Sequence, residues 1–263
     1  MCRWMAWKGQ PVILEELLFK PEHSLVVQSL HSDMGAETTN GDGFGVGWYG
    51  VGEGAGTYRS VEPAWNDANL RALAAHIESP LFLAHVRAST GSPVQETNCH
   101  PFAHGRWMFM HNGLIGNWSH VRRPIEALIP DELYPSRLGT TDSEAVFLAI
   151  MGAGGDRDPI GATERTLATV TSLVNANGAR EPLRFTAALA DGKDLYAFRY
   201  AANDNANTLY YRSDDGNVVI VSEPLDKDRS IWTPVPTNHM LVARLGQPVE
   251  LLPFLAESRV AAE

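Results

Sequence analysis

The chain has 263 residues, 44% hydrophobic and 20% charged, with a net charge of -10. These values fit a globular protein of one large or two small domains and exclude a disordered or fibrous chain. The acidic balance repels phosphate backbones and so speaks against a nucleic-acid partner.

No run approaches the roughly 18 apolar residues that a membrane span needs. The start, Met1 to Lys8, carries charges on both sides of a short apolar stretch, too short for an export signal. The expected location is the cytoplasm, with no membrane partner. The two cysteines, Cys2 and Cys99, are too few for a disulfide framework.

Cys2 directly follows the initiator methionine. Removal of that methionine is routine when the second residue is small. The chain then begins with a cysteine bearing a free α-amino group. Reference pKa values are about 7.7–8.0 for the amine and about 8.5 for the thiol. One residue can thus supply both nucleophile and base, as in N-terminal threonine hydrolases. The plain alternative is a small buried residue near a terminus.

Pro21 to Leu30 reads as a short helix. Asn40-Gly41-Asp42-Gly43 reads as a tight turn that needs positive φ. The alternation of Phe44 to Trp48 then reads as a strand. These glycines do not make a dinucleotide site. No strand precedes them, no helix follows, and Asp42 would repel a pyrophosphate. Asn66 to Ile77 places Leu70, Leu73, Ala74 and Ile77 on one helical face.

Leu81 to Arg87 is an apolar strand whose first charge is Arg87. A guanidinium at a strand end can clamp a carboxylate in a bidentate fork, or make a surface ion pair. Cys99, His100, His104 and His111 raise a metal reading. A strand-loop setting does not aim Cys99 and His100 at one ion, so no metal or other cofactor is expected. Cys99 reads as a buried inert thiol, and His85 and His100 as satisfied structural histidines.

Arg106 to His111 is a further strand, followed by Asn112-Gly113. An Asn amide and the next backbone N–H can face one oxygen. That is an oxyanion hole, each donor worth roughly 3–4 kcal/mol in the transition state. The alternative is an Asn-Gly turn. Thr141 to Met151 reads as a helix opened by the capping box Thr141-Asp142-Ser143-Glu144. Asp142 there should be ionised and can hold a substrate ammonium or cap the helix. Ile160 to Val174 is the longest helix, closed by Asn177-Gly178.

Strands Arg184 to Ala190, Asp194 to Tyr200, Thr208 to Arg212, Asn217 to Val221 and His239 to Leu245 end the chain. Asp191-Gly192-Lys193 and Asp214-Asp215-Gly216 read as hairpin turns, which makes the last part an antiparallel meander. Strands come in runs without strict βαβ alternation, so the class is layered α+β.

Six segments together resemble the class II glutamine amidotransferases of the N-terminal nucleophile hydrolases. They are Met1-Cys2-Arg3, Asn40 to Gly45, His85 to Thr90, Asn98 to Phe102, His111 to Asn117 and Thr141 to Glu144, in the family's order. The resemblance implies a four-layer αββα sandwich of two antiparallel sheets, as a single domain over residues 2–263. It implies that Cys2 attacks the γ-amide carbonyl of a glutamine-like small molecule and forms a thioester. Asn112 and Gly113 would hold the oxyanion, and Arg87, Thr90 and Asp142 would bind the glutamyl part. Water then releases glutamate.

The length leaves no room for the synthase domain of larger members, so the chain resembles the stand-alone branch. Within it, Met1 to Trp4 and residues 35–43 are similar to members that cleave γ-glutamyl bonds in thiol metabolism. Hydrolysis of free glutamine is an equal expectation. The alternative is a glutaminase subunit delivering ammonia to a separate synthase chain.

Overall fold

The computed structural model describes residues 2–255, apart from 36–37, 90, 179–180, 182, 204 and 245. The strands are β1 (Arg3–Ile13), β2 (Phe44–Tyr49), β3 (Ala55–Ser60), β4 (Glu78–Val86), β5 (Phe102–His104), β6 (Trp107–Leu114) and β7 (Arg184–Ala190). Then come β8 (Leu195–Ala201), β9 (Tyr210–Asp214), β10 (Asn217–Val221), β11 (Thr233–Pro234), β12 (His239–Ala243) and β13 (Glu250–Pro253). The α-helices are α1 (Glu15–Leu18), α2 (Leu25–Leu30), α3 (Ala68–Ala74), α4 (Trp118–Glu126), α5 (Asp142–Ile150) and α6 (Pro159–Ala176).

The strands form two antiparallel sheets. One runs β11-β9-β10-β1-β4-β2-β3 and the other β13-β12-β8-β7-β6-β5. Side chains alternate between the two faces of a strand, and that alternation builds the layers. Trp4, Ala6, Leu81, Leu83, Val218 and Ile220 of the first sheet meet Met108, Met110, Ala188, Ala190 and Ala197 of the second. The intervening Met5, Phe82, Ala84 and Val219 face α1, α2 and α3. On the far side Phe109, Phe185, Ala187 and Phe198 face α4, α5 and α6. The order is helix, sheet, sheet, helix, as the resemblance implied. No helix among the described residues is long and apolar enough to cross a membrane.

Several expectations shift. The N-terminal segment, assigned no element from sequence, is β1, the strand between β10 and β4. Asn112 and Gly113 lie inside β6 rather than in a turn after it. The last strands are not one meander. β7, β8, β12 and β13 stay in the second sheet while β9, β10 and β11 join the first, because the chain crosses the sandwich after β8. The helix expected over Pro21 to Leu30 is α2 and begins only at Leu25, where the Ser24 hydroxyl accepts the Val27 N–H at 3.3 Å. The unanticipated α4 is charged, contains Pro124, and buries only Val121 and Ile125, one helical turn apart.

The alternating glycines of β2 face the other sheet. A Cβ at Gly45 would collide with the His100 carbonyl, and one at Gly47 with Met108 and Pro101. Gly45→Ala should therefore cost about 1–3 kcal/mol through overpacking. Gly50→Ala, with nothing within 4 Å, should be silent; parallel thermal unfolding of the two variants checks this.

His85 lies beside Trp4 and Gly45 on the inter-sheet face. Its ring stacks on His100 at 4.2 Å between centroids. Both rings are buried, and their nitrogens have no hydrogen-bond partner among the described residues. They are not the satisfied histidines expected from sequence, because the layer around them is apolar and aromatic. Burial lowers the His85 pKa to about 3 and holds His100 well below its ordinary value. The unfolded chain binds these protons near the ordinary value of 6.5. Below that pH the unfolded state holds more protons, so stability falls as pH drops towards the folded values. The slope should approach about 1.4 kcal/mol per pH unit for each histidine. Urea unfolding at pH about 7 and about 5 measures it, and a flat profile contradicts it.

Candidate active site

Four elements bring their ends to one edge of the sandwich. Cys2 immediately precedes β1. Arg87 follows β4, one step beyond the Arg3–Val86 pair of the β1–β4 ladder. Asn112 and Gly113 close β6, and Asp142 opens α5.

Cys2 is half-buried, with its Sγ 3.5 Å from the Ala88 carbonyl. Its own carbonyl accepts two hydrogen bonds, from Asn112 Nδ2 at 2.7 Å and Arg3 Nη1 at 3.0 Å. The first joins the two sheets directly at the candidate nucleophile. Burial pushes the thiol up from its ordinary value, while the Ala88 backbone, Arg87 and Arg3 pull the other way.

Arg3 is buried and pairs with Glu223 at 2.7 Å. Against the upward push of burial, hydrogen bonds from His23 and the Asp33 N–H, the Arg3 charge and the Met34 N–H hold Glu223 at about 2. His23, Asp33 and Glu223 could converge on a cation. The Glu223 carboxylate is already matched by Arg3 and two backbone N–H groups, so the cluster serves to hold Arg3.

Arg87 is 3% exposed. Its Nη2 reaches Ser89 Oγ at 3.0 Å, Ser92 Oγ at 2.7 Å and the Pro93 carbonyl at 3.2 Å, and its Nη1 the Asp42 carbonyl at 3.3 Å. All these acceptors are neutral. Among the described residues no carboxylate lies at ion-pair distance, so the buried charge is ready for an anion from outside the chain. Thr90, the other substrate-binding expectation in this loop, lies outside the described residues.

Asn98 ties the Arg87 loop to the start of α5. Its Nδ2 donates to the Pro93 carbonyl at 2.9 Å and its Oδ1 accepts the Thr140 N–H at 2.8 Å. Thr141, not Asp142, caps α5, accepting the Glu144 N–H at 3.2 Å. The capping box is only half formed. Glu144 turns instead to Arg137 and the N–H groups of Leu138 and Gly139.

That leaves Asp142 free of capping duty. Its carboxylate accepts the Ile115 N–H at 3.2 Å and the Ser143 N–H at 2.8 Å, which fixes it against the end of β6. His111 Nε2 lies 3.2 Å from the Arg184 carbonyl, an acceptor only, so Nε2 carries the proton. His111 Nδ1 lies 2.9 Å from the Ser143 hydroxyl, which also reaches Asp142 Oδ1 at 3.2 Å. Burial lowers the His111 pKa despite the nearby Asp142.

A Cβ at Gly113 would strike the Arg184 carbonyl and the His111 ring. Only glycine fits there. Among the described residues β5 pairs with Trp107 to Phe109 only, and the rest of β6 is laddered on β7 alone.

Sequence reading singled out Cys2, Arg87, Asn112, Gly113 and Asp142, and these gather here. It missed the Arg3–Glu223 pair, the Asn98 staple and Asn207, whose Nδ2 reaches Asn112 Oδ1 at 3.2 Å. Arg3 and Asn98 lie in segments that carry the resemblance, but Glu223, Thr140 and Asn207 are brought to their partners only by the fold.

The family model described as glutamine amidotransferases class-II matches residues 20–212. "Probable glutamine amidotransferase DUG3" of Saccharomyces cerevisiae is 34% identical, over 98% of this chain and 85% of that one. "Gamma-glutamyl-hercynylcysteine sulfoxide hydrolase" of Mycolicibacterium smegmatis is 32% identical, over 93% and 96%. A solved glutamine aminotransferase class-II domain protein from Silicibacter pomeroyi superposes with a TM-score of 0.77 at 36% identity, covering 97% of this chain and 100% of that one. The glutamine PRPP amidotransferase of B. subtilis shares the fold, with a TM-score of 0.67 at 12% identity, over 96% of this chain and 49% of that one. Sequence, fold and clustered strand ends agree: the chain belongs to the class-II glutamine amidotransferases.

Proposed function

We propose that this chain hydrolyses a γ-glutamyl amide bond, with Cys2 as nucleophile after loss of Met1. The observation that carries this reading is the buried Arg87, without a carboxylate among the described residues and next to Cys2 across the β1–β4 ladder. A substrate α-carboxylate supplies the missing anion, and Asp142 takes the α-ammonium. The γ-carbonyl is thereby presented to Cys2.

The Cys2 α-amino group accepts the thiol proton. Sγ bonds to the γ-carbonyl carbon, and the negative charge moves to its oxygen, beside Asn112 Nδ2 and the Gly113 backbone. The carbon–nitrogen bond then breaks, and the amine leaves with the proton. Water adds to the thioester and displaces Sγ, giving glutamate and regenerating the thiol.

The substrate is a γ-glutamyl compound, glutamine included. The name of the M. smegmatis relative supports a γ-glutamyl derivative of a sulfur-bearing amine. The cytoplasm is the proposed location, since Cys2 must stay a free thiol, as it is here.

Cys2→Ala should abolish glutamate release across a panel of glutamine and γ-glutamyl peptides. Release at the parental rate would sink the reading. Intact mass should show Met1 removed from the active protein. Arg87→Ala should raise KM by about 10- to 100-fold, the scale of a lost hydrogen bond to a charge. The rate of Cys2 alkylation in that variant reports whether the loop has collapsed instead, and an unchanged KM takes Arg87 out of the carboxylate role.

A further inference from the structure

The inter-sheet face of the second sheet is apolar until its last row. There Asn112 of β6 stands opposite Thr186 of β7, and Thr186 opposite Arg199 of β8. By strand parity all three point the same way as Met110, Ala188 and Ala197, into the layer between the sheets. Three polar side chains in register at the site edge need partners there.

Asn207 is that partner. It lies in the irregular crossing from β8 to β9 and is 9% exposed. Its backbone carbonyl accepts from Arg199 Nε at 2.8 Å and Thr186 Oγ1 at 3.4 Å. Arg199 also donates to the Val235 carbonyl at 2.5 Å, which ties the crossing to the segment after β11. The Asn207 backbone is thus held from two sides of the row. Its side-chain Nδ2 then donates to the Asn112 carbonyl at 3.0 Å and to Asn112 Oδ1 at 3.2 Å.

A primary amide has nearly the same shape when turned by half a rotation, but its donor and acceptor edges exchange. A donor fixed on Oδ1 removes that ambiguity. With Oδ1 turned to Asn207, Nδ2 must face Cys2, where one of its protons meets the Cys2 carbonyl. The second proton is available for the substrate oxygen. We infer that Asn207 is a positioning residue that sets the donor edge of Asn112 towards the nucleophile. This rests on the reading of Asn112 as an oxyanion donor.

The test is a double-mutant cycle on glutamate release with Asn112→Ala, Asn207→Ala and the double variant. Asn207→Ala should lower kcat and kcat/KM together by about 10- to 100-fold, as expected for a misplaced catalytic group, with KM within about twofold. In the double variant the second change should cost nothing beyond Asn112→Ala, because Asn207 acts only through Asn112. A purely structural role would instead give additive losses and a raised KM, and would overturn the inference. So would an Asn207→Ala enzyme of full rate. The isosteric Asn207→Asp, which offers an acceptor where a donor is needed, carries the same cycle if the alanine variant does not fold. If Asn112→Ala itself keeps full activity, the oxyanion reading fails rather than the link between the two residues.

Discussion

The site depends on a buried ion pair that joins residues 220 apart in sequence. Chain termini fray unless tied down, yet the candidate nucleophile sits at one. Arg3 solves this by pairing with Glu223 at 2.7 Å and donating to the Cys2 carbonyl at 3.0 Å. Ser222 adds a reciprocal clasp, its hydroxyl accepting the Trp4 N–H at 2.9 Å and its N–H donating to the Trp4 carbonyl at 3.0 Å. A buried pair of this kind is weak as a source of net stability, since both ions lose water. Its value here is fixed geometry. An apolar replacement of similar volume could match the stability and would release the Cys2 carbonyl.

The two ends of the sandwich divide the work. At the far end the Tyr49 hydroxyl lies 2.7 Å from the Arg106 carbonyl and 2.8 Å from that of Ala190, clasping the sheets. In the middle, alanines and glycines let the sheets approach closely, and the core there is apolar. At the near end the last row of each sheet turns polar. Arg87 and Cys2 belong to one row and Asn112 to the other, and the Asn112–Cys2 hydrogen bond spans them. Candidate catalytic groups at the rim of two packed sheets inherit the rigidity of both.

Local chemistry was legible in the sequence and distant pairing was not. Arg87 declares itself as a charge ending an apolar strand, and Asp142 as an acid at a helix start. Each needs only neighbours in the chain to be read. β1 hides because Arg3 and Lys8 interrupt its apolar run, although both are buried in the fold. The split of the last strands between two sheets hides because hairpin signals fix neighbours, not the sheet they join. Asn207 and Glu223 lie in loops without periodicity, and only the folded register brings them to the site. The two inter-sheet histidines were misjudged for the opposite reason. Burial was readable from their apolar surroundings, but the lack of hydrogen-bond partners among the described residues was not.

Those histidines bear on which group can act as base. His85, His100 and His111 are all buried near the site, and burial lowers the pKa of each. A base is most effective when its pKa lies near the working pH. An imidazole held at about 3, as His85 is, takes a thiol proton poorly at neutral pH. His111 is further committed, with Nε2 on the Arg184 carbonyl and Nδ1 on Ser143. An α-amino group at about 7.7–8.0 has the better match. The burial that lowers the pKa of the three rings therefore does more than fill the core. On the proposed reading of Cys2, it removes the competing bases and leaves the proton transfer to the α-amino group that a processed terminus would provide.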